Sequence, residues 1–330
     1  MRENLDGVVV PALKRRSLLL AALAVPGTRP ARAARGSALR LIVPFVAGGG
    51  VDAAARLLAS ALQPVTGTPV VVENHPGASG TIGGRLVLSA PPDGRTLLFS
   101  AATHIFTRQV LGRPPYDPQT DFAAVTRFGL APLMLVMAPR RPEAGLPELL
   151  DAVRREPGTW SAGIPSFGSP GHLATLDLAR RAALRLNLVP YKGTQPALMD
   201  VAGGHVDLLL DSMVALLPLA RAGRVRALAL SAAARSRLLP SLPTFGEAGL
   251  PGFEHHSWYG VWAPAGTPAG RVAELDAAVA AATAALARAG ALEALGIEPA
   301  PLSPDGFRRF VAAQVAVGAE LLRASGFRAE

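Results

Sequence analysis

Two glycine-rich segments carry the residues best placed to do chemistry. The first is Pro44-Phe45-Val46-Ala47-Gly48-Gly49-Gly50-Val51-Asp52, where an apolar run ends and an Ala/Leu-rich run begins. The second, Pro76-Gly77-Ala78-Ser79-Gly80-Thr81-Ile82-Gly83-Gly84, repeats the device and adds the hydroxyls of Ser79 and Thr81. Glycine lets the backbone come close to a ligand, and a helix start presents unpaired N–H groups with a partial positive charge. Two such turns after two strands predict an anion site at the carboxyl edge of an open sheet. A plain tight turn accounts for either segment alone; their repetition favours binding.

A dinucleotide site is the rival reading. Gly48-x-Gly50-x-x-Ala53 satisfies the G-x-G-x-x-G/A pattern, and Glu73 stands where a ribose-binding acid belongs. Asp52 in the first helical turn would oppose a pyrophosphate, and Pro44-Phe45 lengthens the turn. The alternative is then an NAD-binding oxidoreductase built on the Gly48-Gly49-Gly50 turn, without an evident hydride-transfer constellation. Other catalysis has less support still. Ser161-x-Gly163 and Ser166-x-x-Ser169 lack the G-x-S-x-G form of a nucleophile elbow. His104, His172 and His205 are far apart, His255-His256 would face opposite ways on a strand, and the chain has no cysteine. No catalytic residue, metal site or cofactor is expected.

The net charge of +9 invites a nucleic-acid reading. Arg2, Lys14, Arg15, Arg16, Arg29 and Arg32, against Glu3 and Asp6, place much of it in the first 33 residues. The remaining arginines are scattered and are not interleaved with aromatics, so no nucleic-acid partner is expected. Lys192, between Tyr191 and Gly193, is the only lysine beyond Lys14, in a chain that otherwise writes its positive charges as arginine. A compact ammonium contact to a ligand or across a cleft would account for it, as would a solvated turn.

The elements that must position these residues alternate strand and helix. Leu39–Phe45, Val70–Val72 and Thr96–Phe99 read as strands, with helices over Val51–Leu62 and Leu86–Ala90. After a break near 131–139, strands at Trp160–Gly163, Leu186–Pro190, Val206–Leu210 and Val225–Leu230 alternate with helices at Pro147–Arg155, Pro170–Arg185 and Thr194–Ala202. Two closing helices, Pro268–Leu295 with a break near Gly290 and Pro304–Leu322, have no strands of their own and should return to the first unit. This predicts an α/β protein of two lobes, each a mainly parallel sheet flanked by helices. The lobes would be residues 34–133 with 260–330, and 134–259, with crossings near 131–138 and 255–263. Lys14-Arg15-Arg16, the apolar run Ser17–Val25 and Ala31-Arg32-Ala33 read as a secretory signal over residues 1–33, by the general or the twin-arginine route. The apolar run is too short to span a bilayer, so a periplasmic monomer is expected.

The chain as a whole resembles the Bug-type substrate-binding proteins of tripartite tricarboxylate transporters. The matching segments include Leu41-Ile42-Val43-Pro44-Phe45 with Gly48-Gly49 and Asp52, and Val71-Val72-Glu73-Asn74 with Pro76-Gly77-Ala78-Ser79-Gly80. Pro92-Asp93-Gly94, Tyr116-Asp117-Pro118, Gly171-His172-Leu173, Val189-Pro190-Tyr191-Lys192-Gly193 and Trp262-Ala263-Pro264-Ala265-Gly266-Thr267-Pro268 continue the match in order. The resemblance implies a Venus-flytrap fold of type II that captures a small carboxylate between its lobes. That ligand would be a di- or tricarboxylate, an amino acid or an aromatic acid, handed to membrane transporter subunits or a sensor domain. It further implies ligand contacts from Phe45, Val46, Ala47, Gly48, Gly49, Gly50 and Asp52, and from Gly77, Ala78, Ser79, Gly80 and Thr81. The facing lobe would add Ser166, Phe167, Gly168, Ser169, His172 and Asp211, with Thr103 and His104 at the rim; Lys192 joins these candidates as the only lysine beyond Lys14. Two departures from the family pattern bear on ligand choice: Val46-Ala47 where a proline is common, and His75 in place of a common arginine.

Overall fold

A computed structural model describes residues 38–329; the signal reading of residues 1–33 lies outside them. Among the described residues no helix is long and apolar enough to cross a membrane. The first parallel strands are β1 (Leu39–Val43), β2 (Val70–Asn74) and β3 (Thr96–Ser100), in the order β2-β1-β3. Alternation of side chains splits β1 between two cores. Leu39, Leu41 and Val43 pack into one cluster with helices α1 (Gly50–Thr66) and α8 (Ala269–Arg288). Ile42 packs into the other, on the face holding Val87 of α2 (Thr81–Leu88) and Phe307 and Val311 of α10 (Pro304–Ala324). A strand buried on both faces is what an uninterrupted apolar run predicts for a sheet covered by helices.

The longest strand, β4 (Phe122–Met137), belongs to two sheet regions. Its first part pairs antiparallel with β9 (His256–Pro264) through Pro132, and its last part, Leu133–Met137, pairs with β7 (Leu208–Ser212) and β8 (Arg226–Ser231). Beyond β7 lie the parallel strands β5 (Ser161–Ile164) and β6 (Asn187–Pro190). The same alternation recurs here. Leu133, Leu135, Leu208 and Leu210 face one core, while Met134, Val136 and Leu209 face the other. The parallel pairs are those expected, and β4 and β9 add antiparallel pairing through the middle of the two regions. Helices α4 (Leu146–Arg155), α5 (Pro170–Arg181), α6 (Thr194–Ala202) and α7 (Met213–Arg221) cover the second region, and a short α3 (Thr107–Val110) follows β3.

One expectation fails outright. The closing helices do carry a strand, β10 (Glu298–Leu302), which follows the short helix α9 (Ala291–Ala294) and pairs antiparallel with β4 around Gly129 and Leu130. Pro299 and Pro301 hid it, because proline cannot donate to a ladder and is confined to edges and bulges. The break near Gly290 is real: that residue takes a left-handed φ of 69° between α8 and α9.

Candidate functional site

The first glycine turn is held by its neighbours before it can hold anything else. Asp52 accepts from the Gly48 N–H at 2.9 Å and from Arg56, while Asn74 donates to both Asp52 and the Phe45 carbonyl. Burial pushes the Asp52 carboxyl up, but the Arg56, Gly48 and Asn74 bonds outweigh it and leave the group below its usual range. Asp52 therefore shapes the loop, with both carboxyl oxygens committed to it. The Gly48 amide is used up in the same way.

What the turn presents instead is the start of α1, whose N-cap is Gly49. Gly49, Gly50 and Val51 line a cavity of about 40 Å³. Three other helices begin at the same cavity. The N-caps Ser169 of α5, Gly193 of α6 and Ser212 of α7 all stand in its wall. Each helix start carries roughly half a positive charge, so four together set up a field of roughly two charges around one small space. Neither arginine nor lysine lines this cavity; the single charged type in its wall is Asp211. Thr103, Ser166, Ser257 and Tyr259 supply hydroxyls.

The wall comes from both sheet regions. Tyr259 of β9 and Ser212 at the end of β7 share a hydroxyl hydrogen bond of 2.9 Å. Burial, together with the neighbouring Asp211 charge, pushes the Tyr259 phenol up to about 12. Gln195 of α6 donates to the Gly48 carbonyl at 2.5 Å. Gly193, at a φ of 137°, leaves room that a Cβ would take from Val46, whose Cγ2 lies 2.9 Å from that position. A Cβ on Gly50 would stand 3.2 Å from the Tyr259 hydroxyl. Glycine at these two points lets the facing elements close.

The second glycine turn lines a different space. Gly77, Ala78, Ser79 and Gly80 border an outer chamber of about 300 Å³ together with Tyr191 and Lys192. Phe45 and Ser166 stand in both walls. Ala78 and Ser79 hold left-handed φ values of 45° and 51° without being glycine, a conformation that costs roughly 1–2 kcal/mol per residue. Strain of this kind persists only where the surroundings impose it. Thr81 closes the turn from behind, its hydroxyl donating to the Ala78 carbonyl at 2.8 Å.

Of the residues singled out from sequence, Phe45, Val46, Gly49, Gly50, Thr103, Ser166, Ser169 and Asp211 line the inner cavity. Gly77, Ala78, Ser79, Gly80, Phe167 and Lys192 line the outer chamber. Seven lie in neither wall: Ala47, Gly48, Asp52, Thr81, His104, Gly168 and His172. His104 is not at a rim. It is buried in a box of Tyr116, Phe122 and Trp262, and burial lowers its pKa to about 3. The His172 Nδ1 accepts from the Gly168 N–H at 3.1 Å, so the pair fixes the turn before α5; burial keeps this ring neutral, with a pKa of about 4. Sequence reasoning missed Gly193, Thr194, Ser212, Ser257 and Tyr259. The strand-to-helix rule applied to the glycine turns would have found Gly193, Thr194 and Ser212, since each sits where a strand hands over to a helix. Tyr259, inside an antiparallel strand, offered no such signal.

The dinucleotide alternative loses its acid as well. Glu73 is held by Arg40 at 2.7 Å and by His75, and the Arg40 bond brings its pKa down to about 2. Among the described residues no group of three His, Asp or Glu side chains could hold a metal ion.

Parallel outer strands, a long strand shared by two regions and a cavity walled from both define an α/β periplasmic binding protein fold. The protein belongs to the tripartite tricarboxylate transporter family receptors, whose family model matches residues 54–327. It is similar to BugT of Bordetella pertussis, with 35% identity over 290 residues, 87% of this chain and 89% of that one. Among solved structures it resembles Rpa4515 of R. palustris with adipate, at a TM-score of 0.84 and 35% identity, covering 89% of this chain and 98% of that one. It also resembles MatC from Rhodopseudomonas palustris with bound malate, at a TM-score of 0.79 and 32% identity over 86% and 98% of the two chains. The chain is thus a non-enzymatic solute receptor of the Bug type.

Proposed function

We propose that the protein captures a small dicarboxylate between two lobes and presents it to membrane transporter subunits or a sensor domain. One observation carries the reading: four helix N-caps, Gly49, Ser169, Gly193 and Ser212, converge on one cavity. Amide N–H groups at helix starts bind a carboxylate by charge-assisted hydrogen bonds, about twice as strong as neutral ones. A space of about 40 Å³ suits one carboxylate head and little more. The rest of the ligand would extend past Phe45 and Ser166 into the outer chamber, where Lys192 meets a second carboxylate. Relatives solved with adipate and with malate support this class of ligand.

In this reading residues 34–133 with 260–330 form one lobe and 134–259 the other, with β4 and β9 as the crossings. The Gln195–Gly48 bond holds the lobes closed. Differential affinity for that closed form drives capture. The N-terminal segment exports the chain to the periplasm.

The test is a thermal-shift panel of mono-, di- and tricarboxylates, amino acids and aromatic acids, with NAD as the rival ligand, followed by calorimetry. Adipate or malate should stabilise the protein and NAD should not. Gly49→Val should abolish that response with the fold intact, because a Cβ there meets nothing closer than 3.8 Å and the longer branches project toward Thr194. Unchanged affinity in this variant, or stabilisation by NAD alone, would overturn the reading.

A further inference from the structure

The inner cavity contains a contradiction for an anion receptor: its one charged side chain is an acid. Asp211 is buried in the wall at the end of β7. Its Oδ2 accepts from the Thr194 hydroxyl at 2.6 Å, and the Ser212 N–H also donates to the group. A Cβ on Gly171 would lie 3.2 Å from its Oδ1, so the start of α5 presses on the same carboxyl. The four helix starts that would attract a ligand carboxylate therefore already surround a resident one.

Resting on the carboxylate reading above, we propose that Asp211 is the specificity residue of the inner cavity: it enters the complex as a neutral acid and donates its O–H to the ligand carboxylate. A ligand carboxylate seated in a cavity of about 40 Å³ lies against the Asp211 carboxyl in its wall; like charges that close oppose double ionisation, and a shared proton turns their repulsion into a hydrogen bond. The proton comes from solvent, no bond between heavy atoms changes, and one proton is taken up with each anion. Burial already pushes the Asp211 carboxyl above its ordinary range, against the opposing bonds from Thr194 and Ser212. Other titratable groups near it do not take this role. Tyr259, opposite on β9, stays protonated to about pH 12. His172 on α5 is turned toward Gly168 and is neutral above about pH 4. Asp52 behind the α1 turn is committed to Gly48, Arg56 and Asn74, and Lys192 before α6 lines the outer chamber. A cavity that needs a neutral acid disfavours a ligand whose inner carboxylate carries a neighbouring ammonium, which an ionised Asp211 would instead welcome.

The sign follows from linkage. Above the ligand-free pKa of Asp211, binding must draw in one proton, so affinity falls with rising pH and approaches about tenfold per pH unit. Calorimetry of adipate and malate between about pH 5.5 and 8.5, in two buffers of different ionisation enthalpy, should show this slope and an uptake approaching one proton. Asp211→Asn should be flat with pH and bind more tightly at the alkaline end. Thr194→Val, which removes a bond that favours the ionised form, should move the slope to higher pH. No proton uptake by the wild type, the same slope in Asp211→Asn, or L-aspartate bound more tightly than succinate by the wild type alone would overturn the inference. A ligand-free readout separates it from the carboxylate reading. The stability of the wild type relative to Asp211→Asn should fall as pH rises above the ordinary carboxylate range, because the folded state holds the extra proton. A difference flat with pH sinks the Asp211 inference even if adipate binds. A sloping difference with no carboxylate bound sinks the carboxylate reading instead.

Discussion

Gln195 offers the sharpest test of lobe closure. Its Nε2 donates to the Gly48 carbonyl across 147 positions of sequence, and the side chain is otherwise exposed. Truncation to alanine should leave each lobe intact, since no core contact is lost. A neutral hydrogen bond of this kind contributes a net ~0.5–1.5 kcal/mol. The bond exists only when α6 meets the α1 turn, so its whole value belongs to the closed form. An open form that does not make the bond is unaffected, and the loss appears in full as weaker capture. With about 1.4 kcal/mol per factor of ten, Gln195→Ala should raise the Kd for adipate or malate by about two- to twelvefold. Calorimetry reads the affinity, and small-angle scattering of the liganded protein should show a larger open fraction. An unchanged Kd with unchanged scattering would refute the idea that this contact holds the lobes closed.

Other variants divide the site. Lys192→Ala should weaken adipate and malate by a few-fold, about 0.5–1 kcal/mol for a solvated charge contact, and leave a short monocarboxylate such as acetate unaffected in calorimetry. Asp52→Ala should lower thermal stability by about 1–3 kcal/mol by leaving the Gly48 amide and the Asn74 amide without their acceptor, and denaturant unfolding would measure it. It should also weaken capture through disorder of the turn, an effect absent from the Lys192 variant.

The fold was largely legible in the sequence because its signals are local. Apolar runs such as Leu39–Val43 and the Ala-rich helix that follows Gly50 need only their own pattern to be recognised. The β10 strand was not legible, since two prolines in five residues contradict strand propensity and only pairing with Gly129 and Leu130 of β4 overrides it. The full length of β4 was obscured for a similar reason. Pro132 lies where the partner changes from β9 to β7, and a break in pattern there reads as a loop. The site was half legible. Glycine turns announced the start of α1, but neither spacing nor residue type tells which way the side chains of Asp52 and His104 turn. Asp52 turns back to its own loop, and His104 turns into an aromatic box.

The division of the two glycine turns has a physical consequence for selectivity. An arginine clamp would hold almost any carboxylate, since a long flexible side chain follows its partner. The starts of α1, α5, α6 and α7 are fixed by the cores of two sheet regions, so their N–H groups cannot follow a displaced anion. Such a site would fix the position of one carboxylate head and leave the remainder of the proposed ligand to the outer chamber. There, on the proposed function, the strained Ala78-Ser79 turn and Lys192 would set length and charge. On the proposed function, head group and tail would be read by separate elements, the first by backbone and by Asp211, the second by side chains that can vary without disturbing the first. Substitutions in the outer chamber should change which dicarboxylate is held, whereas substitutions at the four caps should change whether any is held at all.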